Sequence, residues 1–212
     1  MRASAPRIAG LYAIADSAYL DTSNIIQAVR AALEGGARVI QYRDKTSDTV
    51  TRQRIARALN ALCRERDVPL LINDDVALAA AVGAAGVHIG RDDPGIQQAR
   101  AALGPAALVG VSCYNELPRA EAAQDAGADY VAFGRFFPSR SKPQAHPAAP
   151  ELLRTARGLL KIPVVAIGGI TPENGGLLIE AGAEALAVIE GVFGQPDVCA
   201  AAKRYAQLFS KV

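Results

Sequence analysis

Four helix-to-strand joints built from glycine and alanine constrain this chain more than any other feature. Gly35-Gly36-Ala37, Gly127-Ala128-Asp129 and Gly182-Ala183-Glu184 share one form, and Gly83-Ala84-Ala85-Gly86 is a looser version. Each follows an amphipathic stretch and precedes a short apolar run. A glycine there supplies the left-handed residue that ends a helix and turns the chain into the next strand. The apolar runs predict strands over 11–15, 39–41, 69–72, 86–89, 107–111, 129–133, 163–167 and 185–188. The intervening segments recur at helical spacing. Asp21-Thr22-Ser23 offers a cap for the first helix, Thr46 or Ser47 for the second, and Pro172 reads as the first residue of the seventh. The last helix is expected over about 197–209.

Eight βα units in 212 residues predict an α/β fold, a single-domain (β/α)8 TIM barrel over residues 1–212. A doubly wound open sheet is the alternative, but no GxGxxG follows the first strand. Composition agrees: 50% of residues are hydrophobic and only 5% aromatic, as for buried parallel strands under alanine-rich helices. The net charge of +2 argues for neither nucleic acid nor an anionic membrane surface as a partner. No run reaches the roughly 18 apolar residues of a membrane span. The cysteines Cys63, Cys113 and Cys199 lack metal spacing. These features, and an N-terminus without a signal-peptide core, give a cytoplasmic expectation.

In such a barrel, chemistry gathers where the strands end. The polar residues fall there: Asp16 after the first strand, Gln41, Arg43 and Lys45 after the second, Asn73-Asp74-Asp75 after the third, and Arg91-Asp92-Asp93 after the fourth. Ser112 ends the fifth, Gly134 follows the sixth, Gly168-Gly169 the seventh, and Glu190-Gly191 the eighth. Gln41, Arg43 and Lys45 alternate along the strand and share a face. An amide and two cations there are costly to desolvate without an anionic ligand opposite. A solvated strand exit is the competing reading. The carboxylates on adjacent exits suit Mg²⁺ completed by substrate phosphates and water, with one member of each acidic cluster left to cap a helix. Gly168-Gly169 before Thr171-Pro172 suits a phosphate. The segment 134–148, with Ser139, Arg140, Ser141 and Lys142, is too long for an ordinary joint and reads as an active-site loop. His88, mid-strand, reads as a satisfied core histidine, and nothing beside Cys113 would activate it.

Taken together these motifs resemble the thiamine phosphate synthase family. They are Gln41 to Lys45, Ile72 to Asp75, Gly86 to Asp93, Gly110-Val111-Ser112, Gly134 to Lys142 and Ala166 to Ile170, in family order. The resemblance implies that hydroxymethylpyrimidine diphosphate and a thiazole phosphate, carboxylated or not, are joined to thiamine phosphate with release of pyrophosphate. It implies Mg²⁺ on Asp74 and Asp93. It implies pyrimidine diphosphate contacts from Gln41, Arg43, Lys45 and Asn73, with Ser112 and Lys142 gripping the diphosphate. Arg43, Lys45, Ser112 and Lys142 are thus the expected catalytic set. Ser139 and Ser141 stand where the family has two threonines against the thiazole phosphate, and Gly168 would meet it through its backbone. Ile189-Glu190 replaces a Val-Ser pair there, so the expectation is backbone contact with the Glu190 carboxylate turned away. The partners are small molecules, with a homo-oligomer allowed. A thiazole tautomerase of the same barrel, another phosphate-binding barrel enzyme and a silent metabolite-binding protein are the rivals. Retention of Arg43, Lys45, Asp74, Asp93 and Lys142 favours the synthase over the tautomerase, which has no diphosphate and metal to hold.

Overall fold

In the computed structural model, which describes residues 8–91, 93, 95–138 and 147–211, the expected alternation closes on itself. The strands are β1 (Gly10–Asp16), β2 (Val39–Arg43), β3 (Leu70–Asn73), β4 (Gly86–Ile89), β5 (Leu108–Tyr114), β6 (Tyr130–Phe133), β7 (Val164–Ile167) and β8 (Ala185–Val188). All pairs are parallel and consecutive, and β8 pairs with β1, so the sheet is a closed barrel rather than an open doubly wound sheet. The helices are α1 (Ile25–Glu34), α2 (Thr49–Arg64), α3 (Val76–Val82), α4 (Ile96–Leu103), α5 (Leu117–Asp125), α6 (Pro150–Leu159), α7 (Gly175–Glu180), α8 (Glu190–Phe193) and α9 (Val198–Ala206). A 3₁₀ turn, Gln207–Lys211, follows α9.

Alternation along each strand divides the core in two. Leu11, Ile40, Val87, Val109, Val131, Val164 and Leu186 point outward into the layer shared with the helices. Tyr12, Ile14, Val39, Leu71, Leu108, Tyr130, Val165, Ala185 and Ala187 fill the barrel. The turn glycines do what their position requires: Gly36, Gly127 and Gly182 have φ of 98°, 92° and 118°.

Four expected helix starts are corrected, the first being α4, whose cap falls at Gly95 while Asp93 accepts from Gly90 N instead. The cap of α1 falls at Asn24, because Asp21 spends its Oδ1 on the backbone N–H groups of Ser23 and Asn24 in the preceding turn. Neither Thr46 nor Ser47 caps α2. Asp44 Oδ1 accepts from both of their backbone N–H groups, and Asp48 takes the cap by accepting from Thr51 N at 2.9 Å. Pro172 does not open α7. Asn174 accepts from Thr171 N and donates to Gly169 O, holding a turn that delays the helix to Gly175. The short α8 had no periodic signal in the sequence. It places Ile189 and Glu190 directly after β8.

Candidate active site

Every strand points its C-terminal end toward one face, and the polar residues collect there. Arg43 ends β2 and donates through Nη1 to Asp16 Oδ2, which ends β1, at 2.7 Å. Asp16 is 2% exposed and also accepts from Ala18 N at 2.9 Å, so the guanidinium is held by a fixed anion. Two residues on, Lys45 Nζ donates to Asp74 Oδ2 at 2.6 Å. Asp74 has φ of 61°, a conformation that Asp tolerates better than most residues. Its backbone N–H donates to His88 O at 2.8 Å. The neighbouring Asp75 caps α3 by accepting from Leu78 N. One member of that acidic cluster is therefore a cap and the other faces a cation.

Asp93 accepts from Gly90 N, and its carboxyl group stands close enough to that of Asp74 for each to shift the other's proton affinity. Burial pushes both carboxyls up. At Asp74 the Lys45 ammonium more than offsets it and holds the group below the ordinary range. At Asp93 the proximity of Asp74 adds to burial and holds the group above it. Arg119 on α5 clamps the next two exits, donating to Ser112 O at 2.9 Å and to Gly90 O at 3.3 Å. Its guanidinium and that of Arg91 lie against the Tyr114 ring.

Across the face lies a cavity of about 370 Å³. Ser112, Gly134, Gly168, Ile189 and Glu190 are among the residues lining it. Gly168 and Gly169 have φ of 103° and 62°. A side chain at Gly168 would sit 2.4 Å from Arg135 Cβ, so this turn requires glycine twice over. Glu190 Oε2 accepts from Tyr19 Oη at 3.3 Å.

Gln41 lies one layer below Arg43, 3% exposed, and donates through Nε2 to Tyr12 Oη at 2.6 Å. His88 is the satisfied core histidine that the sequence suggested, bonded to Tyr130 and Ser112. Cys113 is buried and its thiol is pushed up to about 12 by that burial, which fits the absence of a cue for nucleophilic use. Asn73 ends β3 at the same face. Ser139, Ser141 and Lys142 lie outside the described residues, as does most of the expected loop over 134–148. Tyr12, Tyr130, Arg119 and the anchoring use of Asp16 were not anticipated. One cue to Tyr130 existed: Gly110 sits opposite it, and a side chain there would lie 1.9 Å from the ring.

A closed parallel barrel with charged groups on one half of its C-terminal face and a glycine-walled cavity on the other is a (β/α)8-barrel enzyme. Residues 11–192 match the sequence profile described as Thiamine monophosphate synthase. The chain is 54% identical over 202 residues to the thiamine-phosphate synthase of Nitrosococcus oceani, covering 95% of this chain and 93% of that one. Its identity to the Marinobacter nauticus enzyme of the same name is 52%, covering 95% and 91%. Among solved structures, a thiamine phosphate pyrophosphorylase from Pyrococcus furiosus superposes with a TM-score of 0.87 at 36% identity, covering 95% of this chain and 96% of that one. The chain belongs to the thiamine monophosphate synthase family. It is a transferase of thiamine biosynthesis with thiamine-phosphate synthase activity.

Proposed function

We propose that the charged half of the face holds hydroxymethylpyrimidine diphosphate with Mg²⁺ and that the cavity holds the thiazole phosphate. The observation that carries this is the contact between Asp74 and Asp93. Two carboxyl groups this closely coupled call for a shared proton or a cation between them. Among the described residues no group of three or more His, Cys, Asp or Glu converges. Two carboxylates with the rest of the octahedron left to phosphate oxygens and water is how Mg²⁺ is usually held. The donor set therefore fits the ion, with Asp74 and Asp93 as its ligands. When bound, Mg²⁺ would neutralise charge on the departing diphosphate.

The remaining work falls to the chain's own side chains. Arg43, steadied by Asp16, and Lys45, now on Asp74, present positive charge to the diphosphate, joined by the Ser112 hydroxyl and Lys142. Gln41 and Asn73 orient the pyrimidine. The bond between the pyrimidine methylene carbon and the diphosphate oxygen breaks, and pyrophosphate leaves with the electron pair. The electron-rich aminopyrimidine bears the positive charge until the thiazole nitrogen forms the new C–N bond. No protein nucleophile is needed, in keeping with the Cys113 thiol near 12. Alignment and charge stabilisation supply the rate. The backbone at Gly168, Ile189 and Glu190 meets the thiazole phosphate, with Ser139 and Ser141 from the loop, while the Glu190 carboxylate is turned to Tyr19. The same reading places the enzyme in the cytoplasm, where Cys63, Cys113 and Cys199 remain free thiols.

A turnover assay with both substrates and Mg²⁺ tests this. Thiamine phosphate should form, and Asp93→Asn, which keeps the shape and removes the charge, should slow it by roughly a hundredfold or more. No product from folded protein, or near-normal turnover by the variant, overturns the assignment.

A further inference from the structure

Beneath the charged face a continuous chain of hydrogen bonds crosses the barrel. Gln41 on β2 bonds Tyr12 on β1 at 2.6 Å, and Tyr12 bonds Tyr130 on β6 at 2.9 Å. Tyr130 bonds His88 Nδ1 on β4 at 2.8 Å, and His88 Nε2 bonds Ser112 Oγ on β5 at 2.9 Å. Tyr12 and Tyr130 are 1% and 0% exposed, and their hydroxyls meet no bulk water. Gly110 leaves the space in which the Tyr130 ring lies.

Each link uses one proton, so the chain has only two orderly polarities. In one, the Gln41 amide donates to Tyr12, Tyr12 to Tyr130, Tyr130 to Nδ1 of a neutral His88, and His88 Nε2–H to Ser112. The hydroxyl proton of Ser112 is then surplus to the chain and free to donate outward. In the other, every arrow reverses: Ser112 donates to Nε2, and Tyr12 donates to the Gln41 carbonyl. Ser112 then offers an approaching anion only lone pairs. Burial raises both tyrosine hydroxyls above their ordinary range, so each stays a protonated link. A protonated His88 would break the order, because it and Gln41 would both donate toward the two tyrosines and leave one hydroxyl proton without an acceptor.

We propose that Tyr12, Tyr130 and His88 are positioning residues that set the donor direction of Ser112 toward the leaving diphosphate and couple it to the amide orientation of Gln41. The forward polarity leaves the Gln41 carbonyl as the acceptor for the exocyclic amino group of the pyrimidine. A donor on the pyrimidine at one end and an anion at the other select the same polarity. A pyrimidine bearing a carbonyl in place of the amino group selects the opposite one. The chain thus ties recognition of the base to the grip on its diphosphate. This rests on the reading of Ser112 as a diphosphate contact and Gln41 as the pyrimidine contact.

The test combines a double-mutant cycle with direct observation of the tautomer. Tyr130→Phe keeps the ring and removes the link. Relative to wild type it should lower kcat/KM for the pyrimidine diphosphate by roughly tenfold to a hundredfold, the usual weight of a hydrogen bond to a charged group. Ser112→Ala should cost a similar factor. The double variant should fall well short of the product of the two single effects, because both break one shared path to the Ser112 hydroxyl. Multiplying effects would make Tyr130 merely structural and overturn the proposal. If Tyr130→Phe does not fold, Tyr12→Phe breaks the previous link and is judged by the same cycle.

The chain has two histidines, His88 and His146, so a His146→Gln variant assigns the imidazole nitrogens in NMR spectra. With Mg²⁺ and inorganic pyrophosphate bound, His88 should carry its proton on Nε2. A proton on Nδ1 in that complex overturns the proposal. This measurement needs no turnover. An inactive wild type would therefore sink the synthase reading while the tautomer still decides the chain, and an active wild type with additive variants would sink only the chain.

Discussion

A carboxylate with nothing to catalyse shows how single residues hold this site. Asp44 is 9% exposed and accepts from Tyr42 Oη at 2.8 Å, Thr46 N at 2.9 Å and Ser47 N at 3.0 Å. Burial pushes its pKa up, but the backbone N–H groups of Ser47 and Thr46 outweigh that and hold the group below the ordinary carboxylate range. It thereby stiffens the loop that carries Lys45. Because the folded pKa is depressed, the stability that Asp44 contributes is fully present above the unfolded pKa of about 3.9 and is lost as pH falls through the folded value. Asp44→Asn should therefore be less stable than wild type by roughly 1.5–3 kcal/mol near neutral pH. The gap should hold down to about pH 5 and narrow below about pH 4. Urea denaturation across that range measures it, and a gap that widens on acidification would contradict the role. The sequence showed Asp44 only as the residue facing away from Arg43 and Lys45. Its bonds to Thr46 and Ser47 are also why neither hydroxyl residue could cap α2, a competition that residue preferences do not reveal.

At the scale of elements, strands were more legible than helix starts. Seven-residue and four-residue strands alike show as apolar runs, because burial on both faces leaves no polar alternation to misread. Helix starts depend on which of several nearby caps wins, and that is settled by tertiary contacts. The turn after β7 is the case with functional weight. Asn174 holds it from one side, and the Tyr205 hydroxyl of α9 donates to Ile170 O at 2.9 Å from the other. Gly168→Ala places a Cβ 2.7 Å from Arg135 Cα, where backbone must move, at φ of 103°. We expect a stability loss of roughly 1–3 kcal/mol. The KM for the thiazole phosphate should rise at least about fivefold, with that for the pyrimidine diphosphate held within about twofold. Gly176→Ala is the internal control. Its added methyl meets nothing within 4 Å on α7, so it should stabilise the protein by roughly 0.5–1 kcal/mol and leave both KM values alone. Equal shifts in the two KM values for Gly168→Ala would mean that the turn does not serve the thiazole side.

For the whole molecule, closure of the barrel followed from repetition of one joint. The polar chain beneath the site could not be foreseen, since it links residues 118, 42, 29 and 24 positions apart through the register of five strands. Closure also divides the face in two, and the halves differ in charge. Around the proposed diphosphate position Arg43 and Lys45 are each already engaged by a carboxylate, Asp16 and Asp74, and Asp93 stands beside Asp74. An anion with several charges is repelled there unless a cation bridges it to Asp74 and Asp93. Among the described residues the cavity side is built chiefly from glycine turns and aliphatic side chains, and Glu190 is its one lining carboxylate. Removing divalent ions should therefore separate the two sites. In calorimetric titrations, excess chelator should weaken inorganic pyrophosphate binding by at least about tenfold and change thiazole phosphate affinity by no more than about twofold. Adding back Mg²⁺ should restore pyrophosphate binding in wild type but not in Asp93→Asn. If chelation weakens both ligands equally, the ion is organising the whole face, and the division between a metal-dependent half and a backbone-built half fails.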